Sequence, residues 1–379
     1  MTNQITAKVL LDSVNEHGHR MTTFVVKFPR YILAELNTHR ALSKNSASSR
    51  AKPFKTMLGL VETDPFIPVQ WMKDHKGMQG AEYFDEETMV HPYSNFFSLD
   101  DDLGDPVIAK VTEVLEECWL DGRNSAVAIA EALAEHGLTK QIVNRVLEPF
   151  MMHEVVLTGT EWENFFALRC PQYEVDYVRD LNNKLFDAPS RSRKDAIERE
   201  PRLAKFTDLQ WRMLNTGMAD IHIMDLAEAM WDAYGESLPK QLVGGEWHMP
   251  YTDDINLEDF YRFLVNEGLI SDQVWEGTPY ELMLPYLLKV SAARCARISY
   301  KTFGEGSKID WLADIKLHDN LLTSAPIHAS PAEHQGKAMT NDDLDNYLVI
   351  EAGVTTIGVC RNLRGFVQYR TLLNNDTMR

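Results

Sequence analysis

The chain has 379 residues, 44% of them hydrophobic and 25% charged, and carries a formal net charge of −18. This is ordinary globular composition, long enough to bury a sizeable core. So acidic a balance argues against a general grip on a nucleic acid polymer, whose phosphates attract basic faces, yet it leaves room for a small anion held by a local arginine cluster.

In chain order, "KVLLDSV" and "MTTFVVKF" read as short strands, with "NEHGHR" turning between them. "PRYILAELNTHRAL" reads as a helix, with Pro29 in its first turn and Ile32, Leu33, Leu36 and Leu42 as an apolar stripe. Glu35 and His39, four residues apart, share a face at its end. Residues 53–105, with "HKGMQG" and the acidic "SLDDDLGDP", read as an irregular inserted lobe. Two helices are expected around "VIAKVTEVLEECWLDG" and "NSAVAIAEALAEHG", and helical spacing continues through "TKQIVNRVLEPF" to Pro149. "TEWENFFALR" carries the apolar set Trp162, Phe165, Phe166 and Leu168. The charged "SRSRKDAIEREPR" interrupts before "MADIHIMDLAEAMWDAYG", an amphipathic helix ending at Gly235. An acidic helical segment and "PYLLKVSAARCARISY" follow, then "HASPAEH" at 328–334.

Cys118, Cys170, Cys295 and Cys360 are widely spaced without a C-x-x-C pair, which points to reduced thiols rather than a disulfide framework or zinc site. "MTNQITAKVLLDSV" lacks the pattern of a secretory leader, and no apolar run reaches membrane-spanning length. A cytoplasmic protein without membrane contact is expected.

Two stretches can carry chemistry. "THRALSKNSASSR" (38–50) gathers His39, Arg40, Ser48, Ser49 and Arg50 at a helix exit, a set that suits a phosphate by charge and hydrogen bonding. A solvated loop is the plain alternative. Arg145 and Arg169 sit in otherwise apolar helical text, where an arginine snorkels, pairs with a carboxylate, or points into an anionic site. In "HASPAEH", Ser330, Pro331 and Glu333 fit a capping box with proline at the first helical position. His328 then precedes a helix N-terminus that offers N–H groups to an electron-rich ligand, with His334 in its first turn. An ordinary capped helix with solvated histidines is the competing reading. No metal site is expected from this pattern or from "EHGH" at 16–19.

Taken together, these stretches resemble flavin-dependent thymidylate synthases. His39, Arg40, Asn45, Ser48 and Arg50 match the family's arginine-rich signature. "NRVLEP" and "NFFALR" resemble later segments, aligning Arg145, Asn164 and Arg169, and "ADIHIMDLAEAM" resembles the helix that follows. "AARCARISY" and "HASPAEH" resemble the family's opening segments, with His328 at the position of a flavin-contacting histidine. Here those segments come near the C-terminus, so the chain reads as a circularly permuted or partly duplicated, phage-like member. "TTIGVCRNLRGFVQYR" (355–370) faintly echoes "TTFVVKFPRYILAELNTHR" and favours duplication. Thr38 stands where the signature has its first arginine, Glu35 and Ser46 replace a glutamine and a glutamate, and "ADIHI" departs from "AQ-x-E-I".

The resemblance implies an α/β fold: one catalytic domain over 1–379, with insertions at 53–134, 171–215 and 236–284. It implies FAD as cofactor, methylenetetrahydrofolate and NADPH as co-substrates, and a pyrimidine nucleotide monophosphate as substrate. It also implies a homo-oligomer, a tetramer or, if the chain is duplicated, a dimer, in the host cytoplasm if viral. On this reading Glu35, Ser48, Ser49, Arg50, Arg145 and Arg169 bind substrate, and Arg169 stabilises charge as C5 becomes nucleophilic. His39, Arg40, Asn45, Asn164, His328, Glu333 and His334 line the flavin site. The activity is one-carbon transfer from dUMP to dTMP. A C5 hydroxymethylase of dUMP or dCMP, or an inactive binding or assembly protein, are the alternatives.

Overall fold

The computed structural model describes residues 5–76, 80, 82–90, 108–175, 189–271, 279–299, 310–322, 327–341, 343 and 360–373. The first half contains β1 (Thr6–Asn15), β2 (Arg20–Pro29), α1 (Leu33–Asn37), β3 (Ser43–Ser46), α2 (Phe54–Thr63), β4 (Thr88–Val90), β5 (Ile108–Lys110), α3 (Val111–Glu135), α4 (Lys140–Val146), β6 (Met152–Gly159) and α5 (Glu163–Arg169). Then come α6 (Arg193–Arg199), α7 (Asp208–Leu214), α8 (Ile221–Glu236), β7 (Lys240–Leu242), β8 (Trp247–His248), α9 (Leu257–Asn266), α10 (Pro279–Arg297), α11 (Trp311–Leu322), β9 (Gly336–Ala338) and β10 (Phe366–Gln368). The fold is mixed α/β.

The β1–β2 hairpin forms as its alternation predicts. Its turn is closed by Asn15, whose side-chain oxygen accepts from the N–H groups of His17 and His19 at 3.1 and 3.0 Å, while Gly18 takes the left-handed conformation (φ 81°) that a side chain would strain. The hairpin anchors a five-stranded sheet of order β3-β6-β2-β1-β7, antiparallel except for the β1–β7 pair.

The two faces of this sheet differ in chemistry. Phe24, Val26 and Phe28 of β2 and Val155 and Leu157 of β6 point to one side, where they bury against Leu36, Phe165, Phe166, Ile223, Leu226 and Met230 from α1, α5 and α8. Period-2 strands meeting period-3.6 helices in this way give the principal core. On the other face lie Ser13, Thr23, Asn45 and Thr158, all buried, beneath His248 and His334. A second sheet, β10-β9-β8, supplies that cover.

Several expectations change. The helix expected over residues 29–42 is a 3-10 turn (Arg30–Ile32) plus α1, ending at Asn37, so His39 lies beyond it. The region from residue 53 is not wholly irregular: α2 packs Met57 and Val61 against α3 and α4, whereas "SLDDDLGDP" lies outside the described residues. The two helices expected over 107–137 are one continuous α3. Gly122 sits within it, facing Phe150, because a single glycine costs only about 1 kcal/mol against the gain from tertiary contact. "MHEVVLTG" is a strand, β6, at the heart of the sheet. The charged stretch at 190–202 carries α6 and a 3-10 turn and, with Tyr173, Leu203 and Trp211, builds its own small core. "HASPAEH" forms no capping box: Ser330–Glu333 is a single 3-10 turn, Ala329 holds the cap position without a side-chain bond, and His334 ends the turn fully buried. The residues 355–359 of the supposed echo lie outside the described set. Residues 360–370 form a turn, β10 and the start of a 3-10 turn, unlike the corresponding end of β2 and α1.

Candidate functional site

The edge strand β3 organises the candidate residues. It is short, polar and paired on one side only, to β6. Its neighbours come from segments far apart in sequence.

At its start, Arg169 at the end of α5 donates from Nε to His39 Nε2 at 3.0 Å and from Nη2 to Thr38 Oγ1 at 3.3 Å. His39 packs edge-on against Phe165, with centroids 4.9 Å apart. Burial first, then the Arg169 and Lys44 charges, lower the His39 pKa to about 4. It is therefore neutral at physiological pH and free to accept from the guanidinium. Among the described residues no carboxylate lies within ion-pair distance of Arg169, and the side chain is only partly buried. Lys44 holds the loop by donating to the His39 carbonyl at 2.5 Å.

Past the other end of β3, Ser49 Oγ donates to Glu148 at 2.5 Å. Glu148 also lies 3.5 Å from Arg30 and 3.8 Å from Arg145. Asn144, fully buried, donates to the carbonyls of Ser49 at 2.6 Å and Lys52 at 3.1 Å, tying the loop to α4. His153 Nε2 lies 2.6 Å from Ser46 Oγ and 2.9 Å from Arg30 Nη1. Burial, then Arg30 and Lys52, push its pKa down to about 3. Arg30 and Arg145 thus share one carboxylate, Glu148, while Lys52 feels the charge of Glu154. Arg50 and Arg145 are exposed and Ser48 is half-buried.

The 3-10 turn of "HASPAEH" packs on β3 from the third side. Glu333 pairs with Arg370 and its charge reaches Lys44. His334 Nδ1 is bonded to Thr158 Oγ1 at 2.8 Å, whereas His334 Nε2 and Asn45 Nδ2 are buried with no hydrogen-bond partner among the described residues. Buried polar atoms without partners are rare and mark places where a further group completes the bonding. His328 is exposed, as are Arg40 and Asn164.

Glu35 goes elsewhere. Its Oε2 is buried with no partner among the described residues, and its charge acts on Tyr31. Burial, then Asp220, Glu35 and Asp225, raise the Tyr31 phenol well above its ordinary pKa. Tyr31 is hydrogen-bonded to His222. Asp220 N-caps α8 by accepting from the N–H groups of His222 and Ile223 at 2.9 and 3.4 Å, a cap position that aspartate suits.

The sequence reading did not single out Arg30, Lys44, Lys52, Asn144, Glu148 or His153. Asn144 and Glu148 lay in plain view in "NRVLEP", but apart from the local Arg145–Glu148 pair their partners, Ser49, Lys52 and Arg30, come from remote segments. Among the described residues, no group of three or more His, Cys, Asp and Glu side chains is placed to hold a metal ion, and no helix is long and apolar enough to cross a membrane. Cys118 is exposed and Cys170, Cys295 and Cys360 are buried, all as reduced cysteines.

No protein-family model matches the chain, and no curated protein sequence matches it. Among solved structures it is similar to a UMP/dUMP methylase PolB from Streptomyces cacaoi. The complex with 5-Br UMP matches at 16% identity, covering 55% of this chain and 93% of that one with a TM-score of 0.31. The complex with 5-Br dUMP matches at 15% identity over 56% and 95%, with a TM-score of 0.29.

Proposed function

We propose that this protein is a flavin-dependent enzyme that transfers a one-carbon unit to C5 of a pyrimidine deoxynucleotide monophosphate. One observation carries the reading: four of the segments that resemble flavin-dependent thymidylate synthases, those holding His39, Asn144, Arg169 and His334, meet around β3 although they are remote in sequence. Arg169, a cation set beside a neutral imidazole instead of a carboxylate, keeps its field for a ligand and would stabilise negative charge on the pyrimidine ring. Ser48, Ser49, Arg50 and Arg145, joined by Arg30 and Lys52, would take the phosphate. His39, Arg40, Asn45, Asn164, His328, Glu333 and His334 would line the flavin, and the unpartnered buried nitrogens of Asn45 and His334 fit a group with polar ring edges. When bound, the flavin supplies the reducing equivalents, with NADPH as their source and methylenetetrahydrofolate as the carbon donor. The chain would act as a single catalytic domain in a homo-oligomer.

The experiment is a flavin titration followed by mass spectrometry of products from dUMP and dCMP, with FAD, NADPH and methylenetetrahydrofolate. A methyl or hydroxymethyl product names the reaction. A folded protein that binds no flavin and converts neither nucleotide overturns the proposal in favour of a binding or assembly role.

A further inference from the structure

On the polar face of the sheet, five buried side chains from five segments form one continuous chain of hydrogen bonds. Ser13 Oγ meets His248 Nδ1 at 2.9 Å, and His248 Nε2 meets Thr23 Oγ1 at 2.9 Å. Thr23 Oγ1 meets Thr158 Oγ1 at 2.7 Å, and Thr158 Oγ1 meets His334 Nδ1 at 2.8 Å. None of the five is more than 1% exposed. The chain ends at His334 Nε2, which has no partner among the described residues.

The direction of these bonds follows from counting protons. Each hydroxyl has one to give, and each neutral imidazole has one N–H and one lone pair. Burial lowers the pKa of both histidines to about 3, so both are neutral. If Ser13 donates to His248, then His248 Nε2–H donates to Thr23, Thr23 to Thr158 and Thr158 to His334 Nδ1. Every donor is then used except the last, His334 Nε2–H. If the chain runs the other way, the Ser13 hydroxyl proton has no acceptor among the described residues, and the His334 Nε2 lone pair has no donor. One orphan is cheaper than two, since each buried unpaired group costs about 1–3 kcal/mol. Ser13 therefore biases the whole chain.

We propose that Ser13, His248, Thr23 and Thr158 are positioning residues that fix His334 as its Nε2–H tautomer and present that N–H as a donor to a carbonyl oxygen or unprotonated ring nitrogen of the bound flavin, a role that rests on the flavin reading above. Asn45 Nδ2, also buried and unpartnered, lies on the same sheet face, on the strand against which the "HASPAEH" turn packs. Two donors without acceptors match the acceptor-rich edge of an isoalloxazine ring better than they match a cation.

The test is two-dimensional ring-nitrogen NMR on ¹⁵N-histidine protein, with the His334 signals assigned by their loss in His334→Gln. The ligand-free wild type should show the Nε2–H tautomer at His334, and an Nδ1–H tautomer there overturns the proposal outright. Ser13→Ala removes the biasing donor, so a mixture of tautomers should appear at His334, while Ser13→Thr should keep the single form. A merely structural network would leave the His334 tautomer untouched by Ser13→Ala, and that result also overturns the relay. Adding FAD should shift the wild-type His334 Nε2 signal and restore a single tautomer in Ser13→Ala. If FAD binds and His334 does not respond, the donor role is wrong while the flavin reading stands. If FAD does not bind at all, the flavin reading and the donor role fall together, and the tautomers of the ligand-free protein still decide the relay.

Discussion

Arg169 and His39, 130 residues apart in the chain, are joined by a 3.0 Å hydrogen bond in which the guanidinium donates and a neutral imidazole accepts. An arginine with a carboxylate partner would have its field largely cancelled. Here the charge is oriented but not neutralised.

Arg169→Ala should accordingly leave the melting temperature nearly unchanged, because a partly exposed side chain without an ion pair contributes little to folding. Turnover of the nucleotide should fall by about two to three orders of magnitude, the scale of losing one electrostatic donor in an active site. Arg169→Lys should rescue poorly, since a point charge cannot reproduce the planar fork. Calorimetry alongside steady-state assays checks this, and a variant with full activity would remove Arg169 from the site.

Arg212 and Asp225 make the opposite kind of pair. Two bonds of 2.6 Å join them, and Arg212 is 6% exposed. Arg212→Ala leaves a carboxylate poorly compensated and should cost about 3–5 kcal/mol, whereas the double replacement Arg212→Met with Asp225→Leu should recover most of it. Urea denaturation of the single and double variants tests the contrast.

Asn144→Ala orphans two carbonyls in the loop that carries Ser48–Arg50, and should lower stability by about 2–4 kcal/mol. The denaturation midpoint should drop with an unchanged slope, and nucleotide affinity should weaken as the loop loosens. Unchanged stability would mean that water replaces the amide at no cost.

Acid should destabilise the protein early. Folding lowers the pKa of His39 to about 4 and those of His153, His248 and His334 to about 3. Between these values and the ordinary value near 6.5, the unfolded chain binds protons that the folded one refuses. Stability is therefore full above about pH 6.5 and falls as pH drops. The deeply buried His153, His248 and His334 each remove about 1.5 kcal/mol between pH 6.5 and 5, and His39, closer to solvent, removes less. Glu228, pushed up to about 7 by burial, acts in the opposite sense and offsets one of them. Denaturation curves at pH 7, 6 and 5 measure the slope, and a flat profile would contradict the buried neutral histidines.

Local chemistry is what the sequence by itself determined. The β1–β2 hairpin follows from alternating residues and an Asn15–Gly18 turn, and α8 follows from 3.6-residue spacing behind an aspartate cap, so both were legible from a few neighbouring residues. So was the residue content of "THRALSKNSASSR". Tertiary structure decided what depends on remote partners. "MHEVVLTG" is a strand because β2 and β3 pair with it on either side, and no local pattern announces those partners. "HASPAEH" has the letters of a capping box, but packing against β3 and α10 selects one tight 3-10 turn and buries His334. The partners of Arg169, Ser49 and His334 lie 130, 99 and 176 residues away. A hydrogen bond constrains two atoms in space, not their separation along the chain, so the site could be suspected from its letters but assembled only by the fold.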